Sequence, residues 1–444
     1  MDVDEPRSRY GSDGEGYKST DIGVIPCDWS VGAIGDIAET SSGTTPSRAA
    51  YDRYYKRGHV AWVKTLDLNN REIRVTDEMV TSAALAETSL RVYPPGSVLV
   101  AMYGGLNQIG RTGLLCIPAA VNQALTAIRP HDGKVDSDYL LRVLNHRVDY
   151  WRSVASSSRK DPNITSKDVR AFSLALPDIP EQQAIAKALS DADALIESLS
   201  LLLVKKRQIK QGAMQELLTG RRRLPGFDEA WSQVPLGELF DFKNGLNKAK
   251  KFFGHGTPIV NYMDVFSKPA LFAEKLAGQV SVGSDEVRNF DVRKGDAFFT
   301  RTSETIAEIG LASVMLDETE NTVFSGFVLR ARPRDNRLNS RFAVHALRSA
   351  YVREQIVARA SYTTRALTNG RLLGTARLRM PSPEEQEALA EILEDMDAAT
   401  LAVQAKLEKV LDLKAAMMQA LLTGSIRLVQ PNASRCSAAD ATVA

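Results

Sequence analysis

The chain has 444 residues, 44% of them hydrophobic and 25% charged, with a formal net charge of +2. That length exceeds one ordinary core and implies two or more domains. The apolar fraction excludes wholesale disorder, and the near-neutral charge excludes a polybasic arm while leaving local patches open.

In chain order, residues 1–20 are acidic, polar and Gly/Ser-rich. They read as a disordered leader and lack the apolar segment of a secretory signal. No run of 18 apolar residues occurs, so no transmembrane helix is expected. Residues 21–175 read as a mixed unit. The β-type runs GHVAWV, SVLVAMY and ALTAIRP are separated by Gly, Pro and Asn turns, and the helical stretch DSDYLLRVLNHRVDYWRSVA follows. Residues 176–225 read as a long helix. Leu189, Ala192, Ile196, Leu199 and Leu203 step by 3 and 4 residues, a coiled-coil stripe. Asp178 and Glu181 form a capping box, and Gly220 stops the helix.

Residues 226–378 repeat the mixed pattern with DAFFT, FVLRARP and SRFAVHALRSAYVREQIVARA. Residues 379–428 read as a second long helix. Leu389, Leu393, Met396, Val403, Leu407 and Val410 keep the beat, with Thr400 a polar fault. Ser382 and Glu385 cap it around Pro383, and Gly424 stops it. Residues 429–444 are small and polar and read as a flexible tail.

The two helical segments are copies. PDIPEQQAIAKALSDADA from Pro177 matches PSPEEQEALAEILEDMDA from Pro381, and MQELLTGRRRL from Met214 matches MQALLTGSIRL from Met418, both at an offset of 204 residues. A weaker echo precedes each copy: WSVGAIGDIAETSSG from Trp29 lines up with WSQVPLGELFDFKNG from Trp231. The chain is thus two diverged units, each followed by a helix kept similar. Matching Trp29 and Trp231 read as anchors of their units.

The net charge is a cancellation. Residues 21–175 carry +2, residues 176–225 +2, residues 228–378 +4 and residues 379–428 −4. The first helix is basic late, at Lys205, Lys206, Arg207 and Lys210. The second is acidic early, at Glu384, Glu385, Glu387, Glu391, Glu394, Asp395 and Asp397. Macrodipole complementation explains that order in any single helix. Antiparallel pairing of the two helices explains it as well.

Catalytic signatures are absent from the sequence. There is no GxxxxGK(S/T) loop, no (D/N)PP(Y/F/W) methyltransferase box, no HExxH and no CxxC. The five histidines are scattered and read as surface or packing residues. A nuclease-like Asp412-Leu413-Lys414 lies on the expected second helix and reads as a solvated helix face. Three widely spaced cysteines, Cys27, Cys116 and Cys436, exclude a disulfide-dense scaffold and fit the cytoplasm. Cys116, in the apolar run GLLCIP, reads as core.

The paired xPxxEQxxI/LA…LxxxDA…LLTG blocks, each after a diverged unit, resemble the specificity (S) subunits of type I restriction-modification systems. The likeness spans about residues 20 to 428. GTTPSRAAYDRYYKRGHVAWVKTLDLNNREI looks like one class of target recognition domain, and NGLNKAKKFFGHGTPIVNYMDV like another. One departure is SSSRKDPNIT, where the family often has a Gly-Ser-x-Gln-x-Asn loop.

The resemblance implies an α+β fold with two target recognition domains. Each precedes a spacer helix, and the helices pair as an antiparallel coiled coil with pseudo-twofold symmetry. It implies that each domain reads one half of a bipartite site in double-stranded DNA. It further implies two methylation subunits carrying S-adenosylmethionine, and motor-nuclease restriction subunits using ATP and magnesium. No cofactor, metal or membrane is expected for this chain itself.

Candidate DNA contacts follow from chemical type on expected loops: Arg and Lys for guanine or phosphate, Asn and Gln for adenine, hydroxyls for either. In the first unit these are Thr44, Thr45, Ser47, Arg48, Tyr103, Asn107, Gln108, Arg159, Lys160 and Asn163. In the second they are Lys243, Asn244, Lys248, Lys250, Lys251, Arg301, Thr302, Tyr362, Thr363, Thr364 and Arg365. For each, a plain solvated loop residue is the alternative. At the level of the chain, the alternatives are an enzyme with its own recognition domains, a structural coiled-coil scaffold, and an orphan DNA-binding protein without methylase partners.

Overall fold

The computed structural model describes residues 16–105, 107–155, 163–362 and 365–430. The fold is α+β. Two compact units divide it: residues up to 198 together with those from 407 onward, and residues 199–406. Each unit therefore holds the start of one long helix and the end of the other.

Both units are built on a five-stranded sheet of the same order. In the first, Ala38–Ser42, Leu125–Pro130, Val98–Ala101 and Thr112–Leu115 run antiparallel, and Glu72–Ile73 adds a parallel edge. In the second, Phe240–Asn244, Val328–Pro333, Ala297–Thr300 and Ala312–Met315 do the same, with Ala270–Leu271 at the parallel edge. The central strands VLVA and AFFT are buried throughout. This is why they read as continuous apolar runs rather than alternating ones.

Smaller sheets flank these. The first unit adds Glu78–Val80, Val60–Val63, Ala119–Val121 and Val92–Tyr93; the second adds Gln279–Val280, Phe253–Val260 and Val323–Phe324. Each mixed region is closed by its own ends. Ser30–Ala33 pairs with Ser173–Leu176, and Ser232–Pro235 with Arg377–Met380.

Several expectations need adjustment. Tyr17–Thr20, inside the stretch expected to be a disordered leader, forms a hairpin with Gly23–Pro26. Both helical stretches are broken in two, at Arg147 (Ser137–His146, Val148–Val154) and before Ala350 (Ser340–Ala346, Ala350–Arg359). The second break is a new N-cap, where the Ser349 hydroxyl accepts from Val352 N–H at 3.4 Å. Cys116 is free but only half-buried, and Cys27 takes part in a disulfide, which the cysteine count did not anticipate.

The long helices span Ile179–Leu217 and Pro383–Leu422, each about 60 Å at 1.5 Å per residue. No described helix is long and apolar enough to cross a membrane. Leu189, Ile196, Leu199 and Leu203 are buried, as are Leu389, Leu393 and Val410; Ala192, Met396, Val403 and Leu407 are half-buried. The caps form as expected on one side only. Glu181 N–H donates to Asp178 Oδ1 at 3.0 Å and Glu385 N–H to Ser382 Oγ at 3.3 Å. Both glutamate side chains turn elsewhere.

In the first unit the buried Glu181 carboxylate accepts from Trp29 Nε1 at 3.1 Å and from Arg427 at 2.6 and 2.7 Å. Arg427 also forks onto Asp28 at 2.8 and 2.9 Å. In the second unit the equally buried Glu385 accepts from Trp231 Nε1 at 2.8 Å and from Arg223 at 2.8 and 2.9 Å. Each arginine lies just beyond the LLTG end of the opposite helix. The stopping glycines seat this cluster. Gly424 has φ +72°, and a side chain there would collide with Pro26 at 2.4 Å. Gly220, with φ +68°, faces Trp231.

The matched glutamines act alike. Gln182 Oε1 accepts from Asp136 N–H at 2.8 Å, and Gln386 Oε1 from Asn339 N–H at 2.8 Å. Further along, Lys414 Nζ meets Asp193 Oδ1 at 2.6 Å in the first unit, and Lys210 pairs with Asp397 in the second. The Asp412-Leu413-Lys414 triplet is thus ordinary helix surface with one structural ion pair. Part of the acidic start of the second helix pairs differently: Glu387 and Glu394 are held by Arg341 of the Ser340–Ala346 helix.

Arg427→Ala would leave the Glu181 carboxylate buried without its cation. The expected loss is about 3 kcal/mol, read as a lower denaturant midpoint at unchanged m-value.

Candidate nucleic-acid interface

The strand register sets where the candidate loops fall. In the first sheet Ser42 lies opposite Thr126, Leu125 opposite Ala101, and Thr112 opposite Val100. Residues 43–47, 122–124, 102–105 and 107–111 therefore leave one end of the sheet together. Residues 163–166 join them: Ile164 N–H donates to Met102 O at 3.1 Å, and Ser166 Oγ lies 3.4 Å from Ser42 Oγ. In the second sheet Asn244 lies opposite Leu329, Thr300 opposite Val328, and Phe299 opposite Ala312. Loops 245–250, 325–327 and 301–311 share the corresponding end. Thr302 pairs with Leu367, which brings in residues 365–368, and the strand Ser361–Tyr362 pairs with Ala366–Leu367 in turn.

Glycines make this crowding possible. A side chain at Gly43 would meet Val121 O at 2.2 Å, and one at Gly245 would meet Ser325 O at 2.2 Å. These are matching positions of the weak repeat, and both need a bare backbone where two loops cross.

In the first unit three candidates, Thr44, Thr45 and Arg48, are engaged within the protein. Thr44 Oγ1 lies 3.1 Å from Ser89 Oγ, and Thr45 hydrogen-bonds to Gln123. Arg48 forks onto Glu78, with Nη2 to Oε2 at 2.9 Å. It also lies over the Tyr55 ring at 4.2 Å and the Trp62 ring at 5.2 Å. Its hydrogen bond to Glu78 raises the arginine pKa and lowers that of the glutamate. Arg48 is therefore a clamp on its loop as well as a charge. Ser47, Tyr103 and Asn107 are exposed, while Gln108 and Asn163 are half-buried. Arg159 and Lys160 lie outside the described residues.

In the second unit Lys243 bonds to Asn289 O, and Lys248 pairs with Glu286 at 2.7 Å over the Phe252 ring. Lys248 is thus partly withdrawn from the basic cluster. Lys250 and Lys251 stay exposed, as do Asn244 and Arg365; Arg301 and Thr302 are half-buried. Tyr362 lies on the strand Ser361–Tyr362, and Thr363 and Thr364 lie outside the described residues. Two hollows open here. One is lined by Leu246, Asn247, Lys248, Lys250, Phe253, Ser325 and Phe327. The other includes Tyr262, Met263, Thr302, Glu304, Phe327 and Arg365.

Gln123 and Phe327 were missed by the sequence reading. Both belong to the short loop before the strands Leu125–Pro130 and Val328–Pro333. Alignment of ALTAIRP with FVLRARP places that loop, and it was the one signal available. Phe327 reads as core by type, yet the residue is 62% exposed.

The geometry describes a duplicated protein that presents matching loop clusters, rich in amide, hydroxyl and cationic groups, at one end of each sheet. The family model described as the type I restriction modification DNA specificity domain matches residues 26–204 and 228–412. The chain belongs to that family.

Among its relatives, the type I restriction enzyme MjaIX specificity subunit of Methanocaldococcus jannaschii is 34% identical over 41% of this chain and 42% of that protein. The EcoR124I/EcoR124II specificity subunit of Escherichia coli is 24% identical over 40% and 44%. The chain thus matches less than half the length of these two relatives. The putative MjaX specificity subunit of M. jannaschii is 22% identical over 93% of this chain and 97% of that protein. A type I restriction-modification system S subunit from M. genitalium shares the fold, with a TM-score of 0.54 at 15% identity, covering 90% of this chain and 96% of that one.

Reversing Lys250 and Lys251 to Glu is expected to weaken DNA binding to every sequence. It should flatten the slope of log K against log salt by about 2, measured by fluorescence anisotropy across a salt series.

Proposed function

We propose that the chain is the DNA-recognition subunit of a type I restriction-modification complex and is itself non-catalytic. Each globular region, as residues 21–175 and 226–378, reads one half of a bipartite site in double-stranded DNA. Phosphate contacts position the loops, and a few polar side chains read base edges. The long helices pair antiparallel as a coiled coil and set the unread spacer, as dimer geometry sets half-site spacing elsewhere. The partners are two methylation subunits, which bring S-adenosylmethionine and methylate adenine, and restriction subunits, which bring ATP and magnesium. The complex works in the cytoplasm.

The observation that carries this reading is the paired loop cluster at one sheet end in each unit. Two such clusters on the same scaffold, with different side chains, suit two different half-sites. Family membership supports the DNA-specificity role. The antiparallel pairing is supported within each unit separately, by Lys414 with Asp193 and by Lys210 with Asp397. Docking of partner helices is supported by exposed leucines on the long helices, Leu201 at 65% and Leu401 at 63%.

Methylome sequencing of a host carrying this chain with its methylase is expected to yield a split, adenine-methylated motif. A continuous or cytosine-methylated motif would sink the proposal. For the helices, cysteines replacing Lys210 and Asp397 are expected to cross-link within the chain. Parallel pairing would instead link position 210 to 414.

A further inference from the structure

The second unit carries an aromatic side chain where a recognition surface needs an apolar reader. The Phe327 backbone is fixed on both sides, and so is its neighbour Gly326. Phe327 N–H donates to Ser325 Oγ at 3.3 Å, Phe327 O accepts from Arg301 N–H at 3.3 Å, and Gly326 N–H donates to Leu246 O at 2.7 Å. A Cβ at Gly326 would stand 3.1 Å from Leu246 O and push the Asn247 side chain aside, so the two loops are closely packed here. Phe327 is 62% exposed and lines both hollows.

A single exposed apolar side chain is ordinary on a protein surface. The surroundings of Phe327 are not. Met263, 61% exposed, lines the same hollow as Phe327, Thr302 and Arg365, with Glu304 and Glu308 beside them; Lys250 and the Glu286-paired Lys248 line the other. An apolar projection with a free cation on each side, Arg365 and Lys250, fits the major groove, where the thymine C5-methyl is the apolar group on a base edge and phosphates border the groove. The first unit lacks this device. Ala124, half-buried, stands in the equivalent place, beside Gln123, which is bonded to Thr45.

We propose that Phe327 is a specificity-determining residue that reads the C5-methyl group of one thymine in the half-site met by the second unit. This rests on the DNA-recognition reading above and goes beyond it by naming the residue and the base feature.

The test uses the chain assembled with its methylase partner and duplexes carrying the methylated site. Each thymine is replaced in turn by uracil, which removes only the methyl. Wild type is expected to bind one uracil duplex about fourfold more weakly, the worth of one buried methyl-sized group. Phe327→Ala is expected to bind that duplex and its thymine counterpart equally, with an unchanged salt slope. Phe327→Leu should keep part of the discrimination. If no uracil position weakens wild-type binding, the proposal is overturned. If Phe327→Ala weakens binding but still discriminates uracil as wild type does, the methyl is read elsewhere and the proposal is again overturned. Failure of the underlying reading looks different: wild type would then prefer no sequence at all and bind unrelated duplexes equally.

Discussion

A carboxylate buried at the first turn of each long helix is the constraint on which the rest depends. Glu181 and Glu385 are 2% and 1% exposed. A buried charge of that kind is tolerated only when paired and hydrogen-bonded. The helix N-terminus helps through its dipole, and the capping side chains Asp178 and Ser382 take one N–H each. The remaining demand is met by a tryptophan from the unit's first strand region and an arginine from beyond the far end of the opposite helix. One carboxylate thus fixes three separate stretches of chain in each unit. It also explains why the strand beside each tryptophan pairs with the strand that leads into the helix.

Much of this was legible in the sequence, because local rules governed it. Proline, cap residues, the 3-and-4 stripe and the stopping glycines placed both long helices within a few residues. The central strands stood out as apolar runs because they are buried on both faces. The capping boxes were only half right. Sequence spacing pointed Glu181 and Glu385 back at their own caps, whereas the arginines that claim them lie 246 and 162 residues away. The breaks at Arg147 and Ser349 were not legible, because no proline or glycine marks them. The hairpin at Tyr17–Thr20 was masked by its polar, acidic neighbours.

The candidate site divides along the same line. Loop placement was legible wherever a loop followed a recognisable strand, and so candidates among the described residues gather at one sheet end in each unit. The state of each side chain was not. Arg48 and Lys248 read as free cations, but their partners, Glu78 and Glu286, are 30 and 38 residues away and come close only through the fold. Phe327 was overlooked for the opposite reason. Apolar type argues for burial, and only its place in a short loop keeps the residue outside.

The reciprocal latches account for where the two copies agree and where they differ. Asp193 meets Lys414 and Asp397 meets Lys210; Glu181 meets Arg427 and Glu385 meets Arg223. Every such pair takes one residue from each copy of the helical block. Burial pushes the Asp193 pKa up, but hydrogen bonds from Lys414 and Arg142 outweigh it and hold the carboxyl below its ordinary value. A change at one partner removes a bond from the other copy, so the two copies are coupled at these positions. The loops at the sheet ends have no such tie. Thr45 bonds to Gln123 and Lys248 to Glu286, each inside its own unit. They can change without disturbing a latch, which leaves one scaffold free to carry two different sets of side chains.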